Sequence, residues 1–197
     1  MKNTFIISCP IDTYSGYGAR SRDYVKSIIE SNNYEVKILA QRWGNTSSKF
    51  IENNKEEWGF LTKHIIPRLS EKPDYWCQIT VPNEFQAVGK YNIGLTAGIE
   101  TTVCDGSWIE GCNRMDLILT SSNHSKRVFE TCEFYKDDSK DKVIKLEKPV
   151  KVLFEGANLD VYKPIKEFTN KDLYNYINNI PEDYAYLFVG HWMQGEL

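Results

Sequence analysis

The sequence predicts an α/β fold: a doubly wound, mainly parallel sheet with helices on both faces. Three observations carry this expectation. Short apolar runs rich in β-branched and aromatic residues recur, without the strict polar alternation of a strand that has one wet face. Segments of helical period separate them. A complete strand–loop–helix–strand unit already stands within the first 40 residues, and such units belong to parallel sheets.

The elements follow in order. Residues 4–9 form a buried first strand, closed by the turn-rich segment 10–18. From about Gly18 to Ser31 the period becomes helical. Tyr24, Val25, Ile28 and Ile29 share one face, and Arg20, Arg22, Lys26 and Glu30 lie away from it. Asn32 and Asn33 tolerate left-handed backbone and end the helix. A second strand spans 34–40, and 41–54 is a polar loop. A helix over 55 to about 66 turns Trp58, Leu61, Ile65 and Ile66 inward and stops at Pro67. Strands three and four span 74–81 and 91–96. A short helix over 107–115 leads to a fifth strand, 116–120, after which Ser121-Ser122-Asn123 caps a helix through Lys126, Val128 and Phe129. Residues 136–148 read as a charged surface excursion, 150–154 as a sixth strand, 170–180 as a helix and 186–189 as a new strand. That last strand lacks a following helix to cover it, so the expected organisation is one domain over 1–180 and the first strand of a second over 181–197.

Composition narrows the functional classes. With 41% hydrophobic and 26% charged residues, the 197-residue chain has the balance of a soluble globular protein. A net charge of −3 gives no bulk attraction to nucleic acid. No apolar run approaches the roughly 20 residues that cross a bilayer, and Phe5-Ile6-Ile7 is too brief for a signal peptide, so a cytoplasmic location is expected. The five cysteines form no Cys-x-x-Cys pair, which argues for buried reduced thiols rather than a zinc or redox motif.

The segment Ser15-Gly16-Tyr17-Gly18, between the first strand and its helix, is the strongest local signal. Small residues there let backbone N–H groups approach an anion, and the helix dipole favours negative charge at that end. A phosphate or diphosphate suits it. The segment is not Gly-x-Gly-x-x-Gly, no acid ends strand two, and the Gly-Lys-Ser/Thr of a Walker loop is absent. The same segment serves equally well as a simple corner.

Taken in order, four segments resemble the group 1 (family 4) glycosyltransferases of GT-B fold. Ser15-Gly16-Tyr17-Gly18-Ala19-Arg20, its helix, and Asn33-Tyr34-Glu35-Val36-Lys37-Ile38-Leu39 are similar to that family's Gly-rich opening and "GHEV" strand. Asp116-Leu117-Ile118-Leu119-Thr120-Ser121-Ser122 resembles its "ADxVIAxS" step. The stretch from Leu153 to Pro164 resembles the "NGVD…F.P" handover between domains, and Leu187-Phe188-Val189-Gly190-His191 the "FVGR" strand that opens the second domain. The resemblance implies a Rossmann-like N-terminal domain on the acceptor side, joined to a donor-binding domain. It also implies transfer of a hexose from a nucleotide-diphosphate sugar to the hydroxyl of a glycan, lipid or small-molecule acceptor, with retention. The nucleotide sugar is a co-substrate, and no separate cofactor or metal is implied.

Carried over by position, the resemblance implies that Gly16, Tyr17, Gly18 and His191 bind the donor phosphates. Glu100 is the catalytic candidate, because a carboxylate just past a parallel strand faces the ligand crevice; its other reading is a surface or capping acid. Tyr14, Thr101, Thr102, Asp105, Trp108 and His124 are the candidate acceptor and sugar pocket, and Glu155, Gly156 and Asn158 mark the handover. Glu155 and Asn158 depart from the family's usual residues. So does His191, where an Arg is usual and a histidine cannot form the guanidinium fork. Little catalysis is expected from residues 1–197 alone. Two other classes stay open: a non-catalytic α/β phosphate- or ligand-binding module, and an interaction protein that docks through 136–148.

Overall fold

Side chains along the first strand, β1 (Thr4–Cys9), alternate between two cores. Phe5, Ile7 and Cys9 enter one, and Ile6 enters the other. A computed structural model gives this arrangement and describes residues 2–135, 143–164, 171–182, 184 and 186. The chain divides into two compact units, Met1–Glu155 and Gly156–Leu197.

In the first unit, β1 leads through α1 (Gly16–Ser31) to β2 (Glu35–Ala40). The short helices α2 (Phe50–Asn53) and α3 (Lys55–Trp58) precede β3 (Tyr75–Ile79) and β4 (Tyr91–Thr96). Then come α4 (Gly106–Asn113), β5 (Leu117–Thr120), α5 (Asn123–Thr131), β6 (Glu133–Tyr135), β7 (Val143–Lys145) and β8 (Val150–Val152). Six strands form one sheet in the order β2-β1-β3-β4-β5-β8, parallel at every pairing. Val25 of α1 packs with Ile7, Ile38 and Ile79 on one side, whereas Ile109 and Cys112 of α4 and Val128 and Phe129 of α5 pack with Ile6 and Ile118 on the other. This is a Rossmann-like, doubly wound α/β fold. All five cysteines are free and buried, and burial pushes the Cys9 and Cys112 thiols up to about 12. Among the described residues no helix is long and apolar enough to cross a membrane.

Several elements differ from the sequence reading. Helix α1 starts two residues before Gly18, because Ser15 is its cap: the Ser15 hydroxyl accepts the Gly18 N–H, 2.9 Å. Arg22, expected away from the core, is buried; its guanidinium donates to the Ile11 and Thr13 carbonyls at 3.0 and 2.9 Å and lies 3.4 Å over the Phe50 ring. The loop over 41–54 contains α2, and the expected helix over 55–66 is α3 followed by a 3₁₀ turn, Gly59–His64. The reason is β2, an edge strand: Ile65 bridges Ile38, and the Ile66 N–H bonds the Ile38 carbonyl at 2.9 Å, so both must be extended. Their side chains consequently join opposite cores. The sixth strand ends at Val152 and leaves Phe154 79% exposed. Within the expected surface excursion, Val143–Lys145 is strand β7, which pairs antiparallel with β6 just before it, so that Phe134 and Ile144 pack on the second core; 136–142 lie outside the described residues.

The second unit contains α6 (Lys171–Asn178) and a turn at Asn158, whose carbonyl accepts the Val161 and Tyr162 N–H groups. Tyr186 is exposed, and the rest of the strand expected over 186–189 lies outside the described residues.

Candidate functional site

In an open parallel sheet, ligands bind outside the carboxyl ends of the strands where the winding reverses. Here α1 leads from β1 to β2 on one side, and β3 joins β1 on the other, so the reversal lies between β1 and β3. Helix α1 begins at the carboxyl end of β1.

Ser15 and Gly18 build that helix start. The Ser15 hydroxyl takes the Gly18 N–H, its carbonyl takes the Ala19 N–H at 2.9 Å, and Gly18 packs directly on Thr13. Gly18 therefore makes the corner and has no N–H left to offer. Gly16 and Tyr17 are different. Their N–H groups, in the helix's first turn, have no protein partner among the described residues, and the space beside the Gly16 Cα is open.

The Tyr17 side chain reaches from α1 to β4. Its hydroxyl lies 3.0 Å from Thr96 Oγ1 and accepts the Ala97 N–H at 3.1 Å. Its ring stacks on Trp43, with centroids 4.1 Å apart and planes 24° from parallel. Burial raises the Tyr17 pKa above its ordinary value of 10; its two hydrogen bonds oppose this, and the Glu100 and Glu155 carboxylates reinforce it. Glu155 is 3.6 Å from Arg20, which also donates to the Leu153 carbonyl at 2.6 Å.

Glu100 sits on a loop held by α5. Gly98 has a φ of +95°, and any Cβ there would strike Ser125 and Thr120, so only glycine fits. The buried Ser125 hydroxyl accepts the Ile99 N–H at 3.0 Å and donates to the Ile99 carbonyl at 3.1 Å. Ser121 donates to the Ala97 carbonyl, and His124 Nε2 donates to the Thr101 carbonyl at 3.1 Å. Glu100 itself is exposed and has no ion pair among the described residues.

The remaining candidates are engaged otherwise. Asp105 caps α4 by accepting the Ser107 N–H at 2.8 Å; its bonds to the Ser107 side chain and backbone hold its carboxyl below the usual 3.8. Trp108 is half-buried against Phe129, with centroids 6.3 Å apart. Tyr14 lays its ring edge on Phe50 and accepts the Asn53 amide at 2.9 Å. The Thr101 hydroxyl donates to the Val103 carbonyl at 2.7 Å, and Thr102 is exposed beside it. Gly156 and Asn158 belong to the second unit. His191 lies outside the described residues. Among the described residues no group of three or more His, Cys, Asp or Glu is placed to share a metal ion.

Sequence reasoning missed Trp43, Thr96 and the clamp by Ser121 and Ser125. The one available signal was a lone tryptophan in an otherwise polar loop directly after a strand of a parallel sheet. Compared with known proteins, the chain matches no protein-family model, no curated protein and no solved structure.

Proposed function

We propose that the chain supplies the acceptor-side half of a retaining glycosyltransferase, which moves a sugar from a nucleotide-diphosphate donor to an acceptor hydroxyl. The observation that carries the reading is the α1 start, where two adjacent N–H groups without a protein partner among the described residues flank an open glycine at the carboxyl end of a parallel sheet. The chemical difficulty of such a transfer is the negative charge on the departing diphosphate. Preorganised N–H donors at a helix start answer it, each typically worth roughly 3 kcal/mol when aimed at developing charge. Glu100, without an ion pair among the described residues and on a loop that Ser125 holds at Ile99, accepts hydrogen bonds from the hydroxyls of the reacting sugar in this reading. The resemblance, rather than any nucleophile among these residues, supports same-face attack and retention. The nucleotide sugar serves as co-substrate, and no further cofactor is needed.

A second reading, a non-catalytic phosphate-binding module, draws support from Gly18, whose N–H is taken by Ser15 so that only part of the loop offers donors. Titrating the ¹⁵N-labelled chain with UDP- and GDP-glucose tests what both readings share. The Gly16 and Tyr17 amide signals should move and saturate; amides that stay put up to about 10 mM donor would refute the proposal. Transfer of labelled sugar to an acceptor by the chain joined to a donor-binding domain then separates enzyme from module.

A further inference from the structure

An aromatic surface stands at the same mouth, contributed by a loop that no core requires. Trp43 lies in the polar segment 41–49, yet that segment is held at many points. The Gln41 N–H bonds the Cys9 carbonyl at 2.8 Å, and its side chain donates to Ser8 at 2.6 Å. The Trp43 carbonyl accepts the Thr46 N–H at 3.0 Å, the Ser47 carbonyl accepts the Tyr14 N–H at 2.9 Å, and Asp12 accepts the Lys49 and Ile51 N–H groups at 3.0 and 2.8 Å. The indole is half-buried and stacks on Tyr17, which Thr96 and Ala97 pin at its hydroxyl. Two rings held this way lose little further rotamer freedom when a ligand stacks on them.

The polar groups nearby define the ligand. Glu100 has no ion pair among the described residues and lies on the loop that also supplies the Ala97 N–H to Tyr17, whereas Glu155 is already paired with Arg20. The Trp43 indole N–H has no protein partner among the described residues and is not sealed from water. An aromatic plane, an unpaired acceptor and an unpaired donor match a sugar ring. Its C–H face covers the indole, one hydroxyl donates to the carboxylate, and another accepts the indole N–H. An alkyl chain would bury Glu100 without a partner, at high cost. An anionic ring would be repelled by it.

We propose that Trp43 is the platform of the acceptor subsite and that this subsite takes a neutral pyranose, so the acceptor is a glycan or glycoside rather than an anionic small molecule or a bare lipid chain. The word acceptor rests on the transferase reading above; recognition of the ring does not.

The test follows the indole N–H signals of the ¹⁵N-labelled chain during titration with methyl β-glucoside, maltose, glucuronate and glucose 6-phosphate. One indole signal, assigned by its absence in Trp43→Phe, should move with the two neutral sugars, with Kd of about 1–50 mM. The two anions should bind about tenfold more weakly, and Glu100→Gln should narrow that difference. Trp43→Ala should lose binding about tenfold while keeping a dispersed amide spectrum. Should Trp43→Ala fail to fold, Glu100→Gln, at an exposed position, carries the test through the neutral-to-anionic ratio. The proposal is overturned if no sugar moves that signal in the folded chain, if Trp43→Ala binds as well as the parent, or if anionic and neutral sugars bind alike. UDP-glucose added to the same sample reads the transferase proposal separately, at the Gly16 and Tyr17 amides. Movement there with an unmoved Trp43 removes only the platform, and the converse removes only the transferase.

Discussion

A methyl group on Gly18 would collide with the Thr13 carbonyl and hydroxyl, whereas one on Gly16 would meet open space. Sequence treats these glycines alike, but they answer to different constraints: close packing at one, exposure of an N–H at the other. Gly18→Ala should therefore destabilise the fold by about 2–3 kcal/mol, because backbone must move to admit the methyl. Gly16→Ala should change stability by less than about 1 kcal/mol, since the position is helical and uncrowded. Urea denaturation of both variants checks the contrast, and equal losses would mean that the corner at Gly18 is not tight. Arg22 teaches a related lesson. A charged residue that helical periodicity assigned to solvent is instead buried, because the β1–α1 loop leaves the Ile11 and Thr13 carbonyls in need of donors.

At the scale of elements, one carboxylate ties the amino-terminal edge of the sheet together. Asp74 accepts the Thr4 N–H that opens β1, 2.9 Å, and pairs with Lys90, 2.7 Å, just before β4. Its bonds to Lys90 and Thr4 lower the Asp74 pKa from 3.8, and Asp74 raises the Lys90 pKa from 10.5. An acid with a lowered folded pKa contributes stability above its unfolded value and loses it as pH falls through the folded one; a lysine with a raised pKa contributes below its unfolded value and loses it as pH rises through the folded one. The pair's contribution is thus flat between 3.8 and 10.5 and declines outside that window. Asp74→Asn should flatten the acid limb of the stability–pH curve while leaving its slope near neutrality unchanged, as thermal unfolding between pH 2 and 7 would record. A variant with the parent's full acid dependence would show that the pairing does not persist in solution. At the other end of the sheet, the Ser121, His124 and Ser125 clamp does analogous work for the Glu100 loop. That clamp joins residues more than twenty apart in the chain, so no local pattern announced it.

Across the whole molecule, both cores lie within residues 1–155. A fragment ending at Glu155 should unfold in a single cooperative transition with Tm within about 5 °C of the full chain. A fragment that melts without cooperativity would mean that the first unit does not stand alone. The sheet that organises this unit was legible because its central strands β1, β3 and β4 are buried on both faces and so appear as largely apolar runs. Helix ends were legible where a cap is a matter of side-chain type: Asn32 takes the left-handed φ of 55°, and Ser122 caps α5. The stretch from 50 to 66 was not, because pairing with the edge of β2 outweighs its helical period at Ile65 and Ile66. By itself, then, the sequence determined the α/β layering, the buried central strands and the position of a small-residue segment where α1 begins. Only the tertiary structure decided which N–H groups in that turn are left open, and that Tyr17, Trp43 and Thr96 meet. Those residues come from a helix, a loop and a strand far apart in the chain, and closing such distances requires the entropy of the intervening chain to be overcome by the packed sheet as a whole.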